Sequence, residues 1–179
     1  GKPSALVLRP ADGAETVVCW RMAMENNESP SILILSRQDV PDLPGKNRRI
    51  QADMAQRGGY IVYDAKNPQI VLVANGSEVS LLCSVAEALD KEGIAARVVS
   101  VPSIGLFLRQ DKEYRNDVIP DGIKIFGLTA GVPATLQPLM KGDYEIFGMT
   151  RFGASAPYKV LDEKFGFTTE NILNQVKHF

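Results

Sequence analysis

Histidine is nearly missing from this sequence: among 179 residues there is one, His178, next to the C-terminus. A Ser-His-Asp triad or a histidine-rich metal site therefore has almost no raw material. Cysteine is scarce as well. Cys19 and Cys83 each lie in a helix-period apolar pattern and not at a paired spacing, which predicts reduced packing residues. No apolar run approaches the roughly 20 residues needed to span a bilayer, and Gly1-Lys2-Pro3-Ser4 lacks the apolar core of a secretory signal. Lys177-His178-Phe179 is not a peroxisomal signal of the Ser-Lys-Leu type. These absences lead to the expectation of a cytoplasmic protein with no membrane partner. Charge of one sign is not in excess either: 20 Lys+Arg stand against 21 Asp+Glu, for a net charge of −1. The basic residues are scattered, so the sequence carries no electrostatic footprint for nucleic acid.

What is present is ordinary globular material, 45% hydrophobic and 23% charged, which excludes disorder and collagen. Composition shifts once, over Pro41 to Gly59. Pro41-Asp42-Leu43-Pro44-Gly45 leads into the polar, basic Lys46-Asn47-Arg48-Arg49, and the stretch closes on Gly58-Gly59, a pattern that predicts a linker. Before it, Ala5 to Leu8 is an apolar run ended by Arg9-Pro10 and predicts a strand. Asp12 can cap the helix that follows, and Glu15 three residues on makes an Asp variant of the capping box. Ser31 to Ser36 is nearly continuous in apolar residues and predicts a strand buried on both faces. The first 45 residues thus read as a β-α-β piece.

After the linker the alternation repeats. Strands are expected at Tyr60–Tyr63, Ile70–Ala74, Ala95–Val101, Lys124–Leu128 and Glu145–Gly148. One helix runs from the Asn75-Gly76-Ser77 turn to Gly93, short helices are expected at Ile104–Leu108 and Lys112–Val118, and a last one runs from Thr168 or Thr169 to Lys177. The fold class is therefore α/β, a mainly parallel sheet with helices on both faces, preceded by a β-α-β remnant.

Several residues offer chemistry. Arg9 and Asp12 fall at the C-terminal end of one strand and Arg37 just past that of the next, so all three share the sheet edge where ligands gather. An arginine there suits phosphate and a carboxylate can accept from a sugar hydroxyl, although Asp12 also reads as a helix cap and Arg37 as a solvated charge. The turn Asn75-Gly76-Ser77-Glu78 has the placement of an anion site, but it holds one glycine, and Glu78 puts negative charge where a phosphate would sit. It reads as a plain turn with Ser77 as cap. Arg151 to Pro157 is a loop shaped by Gly153 and Pro157, in which Phe152 reads as packing.

Four colinear motifs go further: Arg9-Pro10-Ala11-Asp12-Gly13-Ala14-Glu15, Leu35-Ser36-Arg37-Gln38-Asp39-Val40-Pro41, Ala74-Asn75-Gly76-Ser77-Glu78-Val79, and Arg151-Phe152-Gly153-Ala154-Ser155. With Val99-Ser100-Val101-Pro102-Ser103, Glu113-Tyr114-Arg115 and Phe165-Gly166-Phe167-Thr168, they resemble the C-terminal part of the transketolases over nearly the whole chain. The resemblance implies a homodimeric enzyme of the pentose phosphate pathway. It uses thiamine diphosphate and a divalent metal, Mg or Ca, to move a two-carbon ketol unit between sugar phosphates.

The resemblance also implies an incomplete chain. Residues 1–45 would close the pyrimidine-binding middle domain, 46–59 form the linker, and 60–179 make the C-terminal domain, with the N-terminal and middle domains as partners. Lys141-Gly142-Asp143-Tyr144 lacks the second glycine of the family's Gly-Asp-Gly motif, so no cofactor, metal-binding or catalytic residue is assigned here and the segment alone is expected to be inactive. Asp12 matches a family aspartate that accepts from a sugar hydroxyl, and Arg37 an arginine that binds the terminal phosphate; both are expected substrate contacts. The stretch from Leu128 to Met140 departs from the family pattern. The alternatives are a stand-alone α/β binding or assembly module and a dihydroxyacetone synthase-like enzyme.

Overall fold

The computed structural model describes residues 4–179. The first piece is β1 (Leu6–Leu8), α1 (Gly13–Glu25) and β2 (Ser31–Leu33). Then come α2 (Arg48–Ala52), β3 (Tyr60–Asp64), β4 (Ile70–Ala74), α3 (Glu78–Lys91) and β5 (Ala96–Ser100). The rest is α4 (Ile104–Leu108), α5 (Lys112–Val118), β6 (Lys124–Thr129), β7 (Tyr144–Gly148), α6 (Tyr158–Phe165) and α7 (Thr169–His178). The strands form a five-stranded sheet in the order β3-β5-β4-β6-β7 and a separate two-stranded parallel sheet of β1 and β2. Within the larger sheet only β3 is antiparallel to its neighbour. The α/β class is as expected, and so are nearly all the elements after the linker; α6 was not anticipated.

The apolar run of β4 explains the layering. All its positions are buried, and its side chains alternate between two cores, as the period of a strand requires. Ile70, Leu72 and Ala74 face the core formed with Val79, Leu82, Ala86 and Leu89 of α3 and with Ile172 and Val176 of α7. Val71 and Val73 face the other core, with Phe107, Val118, Leu136 and Leu139. Past the end of β6 the divergent Leu128–Met140 stretch forms two 3-10 turns, Pro133–Thr135 and Gln137–Leu139, and Leu136 between them and Leu139 are those last two leucines. The chain leaves β4 through α3 on one face and leaves β6 through these turns on the other, so the connections diverge between adjacent strands. That divergence opens a crevice at the C-terminal ends of β4 and β6, where open α/β sheets bind ligands.

Three sequence expectations change. The stretch over 46–59 is not an open connection, because α2 and a 3-10 turn at Asp53–Arg57 pack on α1 and bury Ala52 and Ala55. Gly58 ends this turn with φ +85°, and a Cβ there would lie 2.3 Å from the Phe107 nitrogen, so only glycine fits. The run from Ser31 to Ser36 pairs over three residues only and is not buried on both faces: Ile32, Ile34 and Leu35 are exposed. The cause is that among the described residues β2 has only β1 as a neighbour, which leaves apolar surface uncovered. Val7 of β1 and Val17, Trp20 and Met24 on the outer side of α1 are exposed in the same way. Lastly, Ser77 does not cap α3, since its backbone is helical and its hydroxyl donates to Glu78 Oε1 at 2.7 Å.

Gly76 supplies a test of how the two pieces are joined. Its φ is +65°, and a Cβ there would meet Arg9 Nε at 2.7 Å, whereas a Cβ at Gly93, with φ +78°, meets nothing within 4 Å. Gly93→Ala is expected to cost about 1–2 kcal/mol for the left-handed backbone alone. Gly76→Ala should cost clearly more, because Arg9 must also move. Denaturant unfolding of the two variants side by side checks this, and equal costs would mean that Arg9 does not hold the turn.

Candidate functional site

Two charged clusters and one unpaired arginine lie on the edge shared by Arg9, Asp12 and Arg37. The first cluster begins at the start of α1, where Asp12 occupies the N-cap position and its Oδ1 accepts from the Glu15 N–H at 2.8 Å, the cap expected from sequence. Glu15 does not complete a capping box. Its carboxylate accepts from the Ala11 N–H at 2.8 Å and from the Tyr60 hydroxyl at 2.6 Å. Arg48 closes the group: Nε donates to Asp12 Oδ2 at 2.6 Å, Nη2 to Asp12 Oδ1 at 3.1 Å and to Glu15 Oε1 at 3.3 Å. The Leu43 N–H donates to Asp12 Oδ2 at 3.1 Å. The guanidinium also lies 5.7 Å from the centre of the Tyr60 ring.

Opposing forces set the charge of this group. Burial alone would raise the Asp12 carboxyl, but the Arg48 hydrogen bonds, the N–H groups of Glu15 and Leu43 and the Arg48 charge outweigh it and hold the carboxyl below its ordinary range. For Glu15 burial wins, and its carboxyl is raised despite Tyr60, Ala11 and Arg48. Tyr60 is raised by burial and then by the Glu15 charge, so its phenol stays protonated as the donor to Glu15. Burial followed by the Glu15 charge pushes the Cys19 thiol up to about 12, in keeping with the expected packing role.

This geometry bears directly on Asp12. The residue is 1% exposed, and its two oxygens accept four hydrogen bonds, which fill the roughly four lone-pair sites of a carboxylate. No acceptor is left over for a sugar hydroxyl. Arg37 is the opposite case. It is exposed, four residues beyond β2, and among the described residues its guanidinium has no hydrogen-bond or ion-pair partner. The two residues expected to share substrate contacts are therefore in different settings, one sealed and one open.

The second cluster fills the crevice between β4 and β6. Arg9 Nη2 pairs with Glu78 Oε2 at 2.6 Å, and Nη1 donates to Asn75 Oδ1 at 2.7 Å and to the Asn75 carbonyl at 3.2 Å. Glu78 Oε2 also accepts from the Ala130 N–H at 3.0 Å. Backbone bonds from the Gly76 N–H to the Arg9 carbonyl and from the Arg9 N–H to the Pro102 carbonyl continue the seam. The turn that resembled an anion site thus receives a cation from the same chain, and the Glu78 charge that argued against phosphate is what receives it. Beside it lies a cavity of about 500 Å³ between residues 38–41, the start of α3, and α6, with Glu78 and Asp162 in its wall. The Asp162 carboxyl is raised, by burial first and then by Glu78. In the loop before α6, Phe152 is 99% exposed and not packed, and Arg151 instead lies 4.8 Å from the Phe165 ring.

Arg48, Glu15, Tyr60 and Glu78 were not singled out as site residues by sequence. Arg48 reads as one of several linker cations and Tyr60 as the start of an apolar strand. The usable signal was charge compensation, a carboxylate pair at a helix start with an arginine downstream in a stretch rich in turn residues.

Fold and site together define an α/β domain whose switch-point crevice is sealed by an arginine from an attached β-α-β unit. The family model described as "Transketolase-like TK C-terminal domain" matches residues 58–168. The chain belongs to the transketolase family. It is 41% identical to Transketolase 2 of Vibrio parahaemolyticus over 177 residues and 38% identical to a transketolase of Geobacillus stearothermophilus over 178. In each case 98% of this chain aligns with 26% of the relative, so the chain spans about a quarter of the length of the curated relatives it matches. Transketolase from Leishmania mexicana superposes with a TM-score of 0.89 at 36% identity, over 98% of this chain and 25% of that one.

The titration of the first cluster is testable by pH. Because the folded Asp12 carboxyl lies below its ordinary value of 3.8, its stabilisation is complete above that value and lost as pH falls through the folded one. Glu15, raised above 4.5, acts with the opposite sign: its stabilisation is complete below that value and lost as pH rises from it through the folded one. Unfolding free energies measured against pH should therefore show the deficit of Asp12→Asn shrinking toward low pH and that of Glu15→Gln shrinking toward neutral pH. Parallel profiles for both variants and the unmodified protein would contradict these directions.

Proposed function

We propose that this chain is the C-terminal part of a transketolase. The enzyme uses thiamine diphosphate and a divalent metal to transfer a two-carbon ketol unit between sugar phosphates in the cytoplasmic pentose phosphate pathway. The observation that carries this reading is the match of 98% of the chain at 41% identity to about a quarter of a transketolase. In this reading residues 1–45 end the pyrimidine-binding domain, 46–59 link it, and 60–179 form the C-terminal domain. The uncovered apolar faces of β1, β2 and α1 support further domains of the same protein, and the second subunit of a homodimer, as partners.

The described residues offer no cluster suited to the metal. Among the described residues no group of three or more His, Cys, Asp or Glu side chains is placed to hold a metal ion. The diphosphate and metal belong to other parts of the enzyme, and the 179-residue chain is inactive alone. Purifying it and assaying ketol transfer with cofactor and metal added tests this; turnover would overturn the division.

Within that enzyme, Arg37 is the residue of this segment that meets substrate, through the terminal phosphate of the sugar. An exposed guanidinium free of internal partners, at the C-terminal end of a parallel strand pair, supports the assignment. Asp12 is assigned no substrate contact, since its acceptor sites are filled. In the full-length enzyme Arg37→Ala should lower kcat/KM for sugar phosphates by about 10- to 150-fold, the equivalent of roughly 1.5–3 kcal/mol for a charged hydrogen bond. The loss should fall mainly on KM, with activity on a short unphosphorylated substrate within a few-fold of the unmodified enzyme. An equal loss on both substrate classes would remove the phosphate assignment.

A further inference from the structure

The loop that carries Arg37 is tied down by few groups. It leaves β2 where the Ile34 N–H donates to the Leu8 carbonyl at 2.8 Å, and it is next fixed at Leu43, whose N–H reaches Asp12 Oδ2 at 3.1 Å. Between these points, among the described residues, 35–42 make no hydrogen bond or ion pair with the rest of the structure. Leu43 is itself 3% exposed and packs in the core shared with Ala11 and Val18. The far anchor of the loop is therefore one apolar side chain and one carboxylate oxygen.

That oxygen is not held by its own residue alone. Asp12 is buried, and the Arg48 guanidinium makes two of its four hydrogen bonds while supplying the opposite charge. Arg48 is oriented in turn by Glu15 Oε1 and by Gln51 Oε1, 3.4 Å from its Nη1, and Gln51 Nε2 donates to the Val62 carbonyl of β3 at 2.9 Å. A continuous set of polar contacts thus runs from the C-terminal domain through Arg48 and Asp12 to the end of the Arg37 loop.

We propose that Arg48, acting through Asp12 and the Leu43 N–H, is a positioning residue that sets where the Arg37 guanidinium stands for the phosphate of a sugar-phosphate substrate. This rests on the phosphate role given to Arg37. Arg48 touches no substrate. A lysine in its place keeps the charge but cannot hold both Asp12 oxygens in a planar fork, so the carboxylate gains freedom to turn and the loop anchor shifts with it. A small displacement of a binding group is enough to matter, since misplacement by about 1 Å can cost on the order of 100-fold in rate.

The experiment is a double-mutant cycle in the full-length enzyme, combining Arg48→Lys with Arg37→Ala and measuring kcat and KM for a sugar phosphate and for a short unphosphorylated substrate. Arg48→Lys is expected to raise KM for the sugar phosphate roughly tenfold with a much smaller change on the unphosphorylated substrate, and to add nothing once Arg37 is alanine. Hydrogen exchange should show faster exchange at the Leu43 amide with β4 still protected. A full additive loss in the Arg37→Ala background, or unchanged exchange at Leu43, would overturn the proposal while leaving the phosphate role of Arg37 intact. If Arg37→Ala itself fails to separate the two substrate classes, the phosphate reading falls and this inference falls with it. Where Arg48→Lys does not fold, Asp12→Asn is judged by the same outcomes, because it retains one acceptor oxygen and removes the charge that Arg48 pairs with.

Discussion

A single arginine bridges two carboxyl groups that the start of α1 places out of water. Asp12 and Glu15 lie one helical turn apart, and both are buried because α1 packs against the 46–59 stretch and Tyr60 at the start of β3 reaches Glu15. Burying charges costs several kcal/mol per ion unless hydrogen bonds and an opposite charge offset it, and breaking a buried pair from one side commonly costs about 3–5 kcal/mol. Arg48 supplies that offset, from a stretch that had the composition of a linker. The requirement works in both directions. The carboxylates need the arginine, so the stretch folds back on α1 as helical turns, and that return brings Leu43, Ala52 and Ala55 into the core. The network thus fixes the joint between the β-α-β unit and the larger domain.

The second joint uses the same chemistry at a different place. Doubly wound sheets leave a crevice where connections diverge, and its free N–H groups and open space favour a ligand. Here Glu78 takes the Ala130 N–H and the Arg9 guanidinium, so the crevice is satisfied from within the chain. Gly76 makes room for that guanidinium, and the Arg9 backbone pairs on both sides of it. A motif whose parts suggested anion binding is instead half of an internal seam, and neither seam uses Arg37. In this arrangement the C-terminal domain contributes by holding the strand ends and the loop beyond them, while Arg37 stays open to solvent.

The sequence by itself determined most of the elements and their strand-helix alternation, and for a local reason. The runs at Ile70–Ala74 and Lys124–Leu128, the helical spacing of Val79, Leu82, Ala86 and Leu89, the stop at Gly93 and the cap at Asp12 each express a periodicity or a turn preference that lies within a few neighbouring residues. The family motifs were equally legible because they are short and colinear.

What only the tertiary structure decided is which charges meet. Arg48 stands 36 residues from Asp12, Arg9 69 residues from Glu78, and Tyr60 45 from Glu15. No local pattern encodes such pairings, since they depend on how α1, the 46–59 stretch and the crevice end are brought together. The same holds for Ile32, Ile34 and Leu35. Their apolar run predicted burial on both faces, but burial needs a neighbour, and among the described residues β2 has only β1. Asp12 shows the distinction within one side chain: its cap was set by the residues beside it, and its unavailability to a ligand was set by an arginine far along the chain.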